Sequence, residues 1–323
     1  MRALVTGGSG FIGRALTARL SADGHDVLVA DRVPHPELPC VVGDLRDPAT
    51  VEQALRHGAD VVFHLAALTS VLESVRQPAE YCSTNLDATA LLAEAARCSE
   101  VTGFVMASTN AVVGPAEQLP VDERSPLRPL TPYGATKAAA EMLLSAYAAS
   151  YGMAAASVRL TNVYGAGMAR KDSFVPRLMR AAAAGEGVEV YGDGSMVRDY
   201  IYLEDAVDAF LAVWRSGHRG PVVAGSGRSV SVAELLAAAR RATGAAIPAR
   251  HGQRRAGEMQ AVVVDTSLAR SLGFSARVGI DEGMAAAWET FRPDARPDAR
   301  PDARPDGRPD AETDPRGEGS QRI

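Results

Sequence analysis

Tyr133 and Lys137 have the spacing of a proton-transfer pair. They stand four residues apart, just after Thr131 and Pro132, which predict the start of a helix. Residues four apart share one face of a helix, so the phenol and the ammonium should lie side by side. A phenol has a pKa of about 10, and a neighbouring positive charge favours the phenolate, which can remove a proton from a hydroxyl group. The pair therefore predicts a proton shuttle.

The lysine of this pair is unusual for the chain. Of the 34 basic residues, only Lys137 and Lys171 are lysines. Chance would place a lysine four residues after some tyrosine in roughly one such sequence in twenty. Its position at a helix start, in a chain that otherwise uses arginine, favours a chemical role.

Two hydroxyl side chains end the fifth predicted strand. Ser108 and Thr109 follow an apolar run, at the carboxyl edge of a sheet, where open α/β folds bind ligands. Thr109 is the candidate to hydrogen-bond a reacting substrate hydroxyl, and Ser108 is the alternative. A strand-end hydroxyl can also simply cap a turn. The proton-transfer role predicted for Tyr133 favours the functional interpretation.

Three glycines follow the first predicted strand where a helix begins. They are Gly7, Gly10 and Gly13, and Phe11 and Ile12 open the helix between them. Backbone without Cβ can approach a diphosphate, whose charge is favoured by the free N–H groups of a helix N-terminus. This placement between strand and helix predicts a dinucleotide-binding loop formed by all five residues.

An acidic residue at the end of the second strand predicts NAD as the dinucleotide. The Asp31 carboxylate can accept both ribose hydroxyls of the adenosine and would repel the extra phosphate of NADP. Arg32 keeps NADP open as an alternative, because an arginine can pair with that phosphate or lie over the adenine. The positive nicotinamide of NAD would add to the Lys137 charge in favouring the Tyr133 phenolate.

Further cofactor contacts are expected after the third and fourth strands. The residues concerned are Asp44, Leu45, Leu65, Ala66 and Ala67. Asp44 could accept from the adenine amino group or cap a helix, and the small residues let the chain pass close to the dinucleotide. His64 is expected to be a packed residue at a strand end.

These residues must be positioned by an α/β fold with a doubly wound parallel sheet. Short apolar runs alternate with longer helical stretches as far as about residue 160, which is typical of βαβ units. The predicted strands are 2–6, 26–30, 40–42, 60–64, 103–108 and 155–160. The predicted helices are 11–22, 48–57, 79–98 and 132–151.

The rest of the chain predicts a smaller lobe and a tail. We expect a cofactor-binding domain over 1–165 and a smaller α/β substrate lobe over 166–291, with strands that can interleave in one sheet. An Arg-Pro-Asp repeat dominates 292–323, where regular proline and few apolar residues predict disorder.

Composition excludes several classes of partner. The formal net charge is −5 and no basic stripe is present, which argues against nucleic acid. No apolar run is long enough for a membrane span, and the first residues run straight into a strand, so a cytoplasmic location is expected. Cys40, Cys82 and Cys98 show no CxxC spacing, so neither a disulfide framework nor a metal site is predicted.

Together these segments resemble the extended short-chain dehydrogenase/reductase family, in its nucleotide-sugar epimerase/dehydratase branch. The resemblance covers 1–291 and is carried by the motifs TGGSGFIG, GDL, HLAA, STNAVVG, YGATK, RLTNVYG, VRDYIYLED and RRAGE. It implies a Rossmann-type fold, NAD as cofactor, a nucleotide-sugar substrate, most commonly a UDP-sugar, and a homodimer. It also implies a catalytic set of Thr109, Tyr133 and Lys137, and substrate contacts from Asn162, Arg198 and Arg255.

Departures from the family pattern favour C4 epimerisation, which oxidises C4 transiently. Asn110 and Ala111 stand where 4,6-dehydratases carry an acidic pair, and sugar decarboxylases of this family resemble one another in carrying a glutamate at the Ala111 position, so both reactions are disfavoured. Val113 stands where the family usually has a tyrosine, so a hydroxyl lining the site is absent and the fit of the substrate can differ. The alternatives are a net oxidoreductase such as a 4-keto-sugar reductase, a dehydratase, and a non-catalytic NAD(P)-sensing protein. Such sensors usually lack the tyrosine and lysine.

Lys171 is a further candidate for substrate binding. It follows Arg170 in a loop that the resembled family uses to cover substrate, and a lysine is rare in this chain. Its target would be a diphosphate or a sugar carboxylate. The alternative is a solvated loop pair without consequence, since exposed charges usually contribute little.

Overall fold

The computed structural model describes residues 1–116, 118–169, 171–253 and 261–292. Arg170, Arg255 and the predicted tail beyond residue 292 lie outside the described residues, so the expectations for them stay predictions. Over the ranges that are described, no helix is both long and apolar enough to cross a membrane.

The strands alternate with helices along most of the chain. The strands are β1 (Arg2–Thr6), β2 (Asp26–Asp31), β3 (Cys40–Val42), β4 (Val61–His64), β5 (Gly103–Thr109), β6 (Ala154–Leu160), β7 (Asn162–Tyr164), β8 (Val188–Tyr191), β9 (Val197–Tyr202), β10 (Gly220–Ala224), β11 (Ser229–Ser231) and β12 (Ala249–Gly252). The helices are α1 (Phe11–Ala22), α2 (Pro48–Leu55), α3 (Val71–Arg76), α4 (Pro78–Cys82), α5 (Ala88–Cys98), α6 (Pro132–Tyr151), α7 (Phe174–Ala184), α8 (Leu203–Arg215), α9 (Val232–Thr243), α10 (Ser267–Ser271) and α11 (Ile280–Trp288). A π-helical turn over Ser83–Asp87 joins α4 to α5, and a 3-10 turn over Asn110–Val112 follows β5.

A parallel sheet forms the centre of the described structure, with the strand order β10-β6-β5-β4-β1-β2-β3. This is the Rossmann-type doubly wound order expected from the sequence, with the direction of winding reversing between β1 and β4. Thr6 and His64 end these two strands in register. The crevice beyond their carboxyl ends is where such sheets bind ligands.

Helices cover both faces of this sheet because each strand carries apolar side chains on both sides. On one face α1 and α8 contribute buried residues such as Leu16 and Phe210. On the other face α2, α5 and α6 contribute residues such as Val51, Leu92 and Leu144. Strand β4, with the sequence Val-Val-Phe-His, is buried throughout, as a central parallel strand must be.

A second lobe is built around its own apolar core. Helices α7, α9 and α11 pack together through buried residues that include Leu178, Leu235 and Met284. The pair β8 and β12 and the three-stranded sheet β11-β9-β7 accompany these helices. Strand β10 lies at the edge of the central sheet, so the strands interleave.

Most predicted elements agree with the structure, and two regions differ. The strands β1 and β3 and the helices α1 and α6 have the predicted bounds. The helix predicted over 79–98 is instead α4, the π-helical turn and α5, and the helix α3 was not predicted.

Candidate active site

The glycine loop, residues 7–13, packs too closely for side chains at two of its glycines. Gly7 has a left-handed φ of +70°, and a Cβ there would lie 2.6 Å from the backbone nitrogen of Ala66. A Cβ at Gly13 would collide with the carbonyl oxygen of Gly7. Helix α1 begins at Phe11, and Gly10 before it provides no side-chain cap. Its first N–H groups are therefore left to an anion such as a dinucleotide diphosphate.

Asp31 is held beside this loop by backbone groups. Its carboxylate oxygens accept hydrogen bonds from the backbone N–H of Ser9, at 3.0 Å, and of Val33, at 3.2 Å. An ionised carboxylate has about four acceptor positions, so capacity remains for a ribose hydroxyl. Arg32 is exposed next to it. The predicted ribose site is thus compatible with the geometry.

The other residues predicted near the cofactor follow strands β3 and β4. Asp44 forms a salt bridge with Arg46 at 2.6 Å, and hydrogen bonding to that guanidinium lowers its pKa. Leu45 is buried in the core below the sheet. Leu65, Ala66 and Ala67 are half-buried after β4, and the backbone of Leu65 and Ala66 lies against Gly7 of the glycine loop.

His64 is a packed structural residue. Its ring nitrogens lie 2.7 Å from the Thr6 hydroxyl and 2.8 Å from the Thr89 hydroxyl, and the side chain is fully buried. Burial, together with the charge of Lys137, lowers its pKa to about 3. The ring is therefore neutral at physiological pH and joins β1, β4 and α5.

The start of α6 presents Tyr133 and Lys137 together. Thr131 caps the helix by accepting a hydrogen bond from the backbone N–H of Gly134 at 3.2 Å, and Pro132 occupies the first helical position. Both functional side chains are buried, with Tyr133 9% and Lys137 2% exposed. The predicted pair therefore shares one face of one helix, beside the end of β5.

Burial dominates the electrostatics of this pair. It raises the pKa of Tyr133 to about 12, and a hydrogen bond with Thr109 acts weakly in the opposite direction. It lowers the pKa of Lys137 to about 8, against the attraction of Glu141. The lysine alone therefore does not make the phenol acidic, contrary to the simplest interpretation of the spacing. A further positive charge is needed for Tyr133 to act as a base near neutral pH.

The ammonium of Lys137 is a buried donor for which the described residues offer no acceptor. Such groups are rare because an unpaired buried charge is costly. Hydroxyls of a cofactor ribose are acceptors of the kind that this position requires. Together with the close-packed glycine loop, the lysine fits a bound nicotinamide dinucleotide.

The two candidate hydroxyls on β5 differ in their surroundings. The Ser108 hydroxyl donates to Glu141, which forms a buried salt bridge of 2.8 Å with Arg159. Thr109 accepts from the backbone N–H of Ala111 at 3.2 Å, and its hydroxyl is close enough to the Tyr133 phenol to act against the rise of that phenol's pKa. The structure thus joins Thr109 to the tyrosine and places Ser108 in a supporting ion-pair network.

Sequence reasoning missed two polar side chains of this region as site residues. Asn110 follows Thr109, and both its amide oxygen and its amide nitrogen are buried without a hydrogen-bond partner among the described residues. Glu141 lies one helical turn after Lys137 and binds Ser108 and Arg159. The i, i+4 spacing from Lys137 was the only signal for Glu141.

The predicted substrate residues are found on the second lobe's side of the molecule. Asn162 is exposed on β7 and donates to the backbone oxygen of Asp199 at 2.9 Å. Arg198 lies on the neighbouring strand β9. Lys171 lies in the loop between β7 and α7, and its Nζ atom is 5.9 Å from the ring centroid of Phe11, at the glycine loop.

Comparison with known proteins gives consistent matches over most of the chain. Residues 3–225 match the model of the NAD dependent epimerase/dehydratase family. A UDP-glucose 4-epimerase from Mycolicibacterium smegmatis is 34% identical over 312 residues, which cover 90% of this chain and 99% of that protein.

Solved structures of nucleotide-sugar-binding proteins are also similar to this chain. The chain is similar to Thermus thermophilus UDP-glucose 4-epimerase in complex with NAD, with a TM-score of 0.84, 34% identity and coverage of 91% of this chain and 100% of that one. It is also similar to MoeE5 in complex with UDP-glucuronic acid and NAD, with a TM-score of 0.83, 38% identity and coverage of 90% and 98%. MoeE5 has also been solved with UDP-glucose and NAD.

Proposed function

The chain belongs to the NAD-dependent epimerase/dehydratase family, and we propose that it is an NAD-dependent nucleotide-sugar 4-epimerase. The observation that carries this proposal is the buried pair of Tyr133 and Lys137, with the half-buried Thr109 at the end of β5 close to the tyrosine. Relatives named UDP-glucose 4-epimerase match 90% of this chain, which supports the same activity.

The chain's own residues are suited to hold NAD. The N–H groups at the start of α1 would bind the diphosphate, Asp31 would accept from the adenosine ribose, and Lys137 would donate to the nicotinamide ribose. Bound NAD supplies a hydride acceptor and then a hydride donor at the sugar carbon.

Tyr133 is the residue that moves the proton. Its phenol oxygen takes the proton of the sugar 4-hydroxyl when that carbon is oxidised, and returns it when the carbon is reduced. Thr109, which lies close to the phenol at the end of β5, orients the hydroxyl. Burial raises the pKa of Tyr133 to about 12, so its phenolate needs positive charge nearby. Lys137 and the positive nicotinamide of bound NAD would supply that charge.

The neighbours of Thr109 favour epimerisation over elimination of water. An elimination needs a second acid and base next to the reacting carbons. Asn110 and Ala111, which follow Thr109, carry neither group. A sugar that has been oxidised at C4 would therefore be reduced again rather than dehydrated.

The substrate class is a UDP-hexose or a UDP-hexuronate. MoeE5, which is 38% identical, has been solved with both UDP-glucose and UDP-glucuronic acid. Asn162 on β7 and Arg198 on β9 share one small sheet and are proposed to contact the nucleotide-sugar. Arg255, outside the described residues, is proposed to bind its diphosphate.

A second copy of the chain is the proposed partner. Exposed apolar side chains lie on α3 and on its neighbour α6, namely Leu72, Val75 and Met142. A homodimer formed through these helices would cover them. The sedimentation behaviour of a Leu72→Glu variant, compared with the wild-type protein, tests this proposal. The cytoplasmic location expected from the sequence remains a prediction.

The activity is tested directly with purified protein. We expect it to convert UDP-glucose to UDP-galactose, or UDP-glucuronate to its C4 epimer, without net formation of NADH. Products are separated by chromatography, with Tyr133→Phe as the inactive control. Release of one NADH for each sugar consumed would instead identify a net oxidoreductase.

A further inference from the structure

Lys171 connects the second lobe to the glycine loop. It lies between β7 and α7, and its Nζ atom is 5.9 Å above the ring of Phe11, the first residue of α1. Phe11 is half-buried and packs against the apolar core of the second lobe. The lysine and the phenylalanine therefore meet where this lobe touches the predicted diphosphate site.

The backbone that carries Lys171 is held in place by α7. The Arg180 guanidinium donates to the backbone oxygens of Ala169, at 2.9 Å, and of Lys171, at 3.0 Å. The carboxylate of Asp172 pairs with Arg177 at 3.4 Å and with Arg180 at 3.6 Å. The nearest acid in sequence is thus neutralised by the helix, and the lysine side chain is left to extend toward Phe11.

Nothing negative among the described residues balances Lys171 at this place. Its side chain has no carboxylate partner there, and the first turn of α1 contains no acidic residue. Although part of the residue is exposed, desolvation of its ammonium lowers the pKa of Lys171. An ammonium beside the positive end of a helix is unfavourable unless an anion lies between them. The dinucleotide diphosphate is an anion that this loop is built to receive.

We propose that Lys171 contacts the diphosphate of bound NAD from the second lobe and so holds the cofactor during catalysis. The inference deepens the proposed function, because an epimerase must retain its cofactor between oxidation and reduction of the sugar. It reassigns Lys171 from the sugar to the cofactor. The loop between β7 and α7 then links the lobe that binds substrate to retention of NAD.

The test measures cofactor release without any sugar. NADH is bound to the purified protein, excess NAD is added, and the decay of bound NADH fluorescence gives the dissociation rate. We expect release to be about tenfold faster in Lys171→Met, which keeps the aliphatic stem and removes the charge. Lys171→Arg should restore slow release. Arg250→Met, which removes an exposed cation on β12 that has no part in holding this loop, should match the wild type.

The outcomes separate this inference from the proposed function. An unchanged release rate in Lys171→Met would overturn the contact with NAD. If, in addition, that variant loses activity only on UDP-glucuronate, Lys171 binds the sugar carboxylate instead. If release accelerates but the wild-type protein epimerises no sugar, the cofactor contact stands and the proposed activity fails.

Discussion

At the scale of single residues, the site contains two ionisable side chains whose charged forms are disfavoured by burial. Tyr133 and Lys137 are both pushed toward their neutral forms, with pKa values of about 12 and about 8. Shifted pKa values of this kind are typical of residues selected for catalysis rather than for stability. Each of the two side chains therefore gives a distinct prediction.

Replacing Tyr133 by phenylalanine removes the proton shuttle and keeps the ring. We expect turnover to fall by at least about a hundredfold, because the phenol oxygen that takes the hydroxyl proton is removed. Binding of NAD should stay near that of the wild type. Steady-state kinetics and a cofactor titration check the two parts, and near-normal turnover would refute the assignment.

Replacing Lys137 by methionine should make the protein more stable and inactive. Its pKa falls from 10.5 in the unfolded chain to about 8, so burial of the charge costs about 3 kcal/mol below pH 8. The folded state binds fewer protons than the unfolded state between these values, so the cost shrinks as pH rises toward 10.5. Urea unfolding of both proteins at neutral and alkaline pH measures the difference. An equal difference at both would contradict the argument.

Asn110 gives a third prediction, because its amide is buried without a partner among the described residues. Asn110→Leu replaces it with an apolar side chain of similar shape and should raise the free energy of unfolding by about 1 kcal/mol. The same change should raise KM for the sugar nucleotide, because the unpartnered amide directly follows Thr109 in the proposed site. Loss of stability would instead show that the amide has a partner in the folded protein.

At the scale of secondary-structure elements, the sequence predicted those strands and helices that depend on interactions between residues close together in the chain. The apolar strands and the capped helix α6 follow from side-chain periodicity and from Thr131 and Pro132. The π-helical turn before α5 does not. There the side chain of Asn85 binds the backbone of Leu68 on both its N–H and its carbonyl, at 2.8 and 2.9 Å. Contacts of this kind join distant segments and leave no periodic signal.

His64, which links three of these elements, should make stability depend on pH. Its pKa is about 3 in the folded protein and 6.5 when unfolded, so only the unfolded state takes up the proton between these values. Stability is then lost as pH falls below 6.5, by about 1.4 kcal/mol per unit for one proton. His64→Asn should show a shallower decline in urea unfolding between pH 6.5 and about 5. Identical slopes would exclude His64 as the source.

At the scale of the whole molecule, the position of Lys171 shows what the sequence could not provide. Tyr133, Lys137 and the glycine loop were predicted because each lies within one short segment. Lys171 was assigned to substrate, yet it lies 5.9 Å from Phe11, about 160 positions earlier in the chain. That proximity depends on how the second lobe packs against α1, which no local spacing encodes.

Removal of the repeat after Phe291 should change neither melting temperature nor activity. The removed sequence has almost no apolar side chain with which to dock. Truncation after Gly279 is the matched contrast, because it also removes α11 with the buried residues Met284 and Ala287. That loss should lower the free energy of unfolding by at least about 3 kcal/mol. A lower melting temperature after removal of the repeat alone would show that the repeat docks on the body.

The return of β10 to the central sheet constrains how this protein can be recombined with its relatives. β10 pairs with β6 in the register Val222↔Val158, although the loop bearing Lys171 and the helix α7 lie between them in sequence. A chimera with one crossover near residue 165 would take the edge strand and α8 from one parent and the remaining strands from the other. Exchange of sugar preference therefore calls for at least two crossovers, with 203–224 kept from the parent that supplies the sheet.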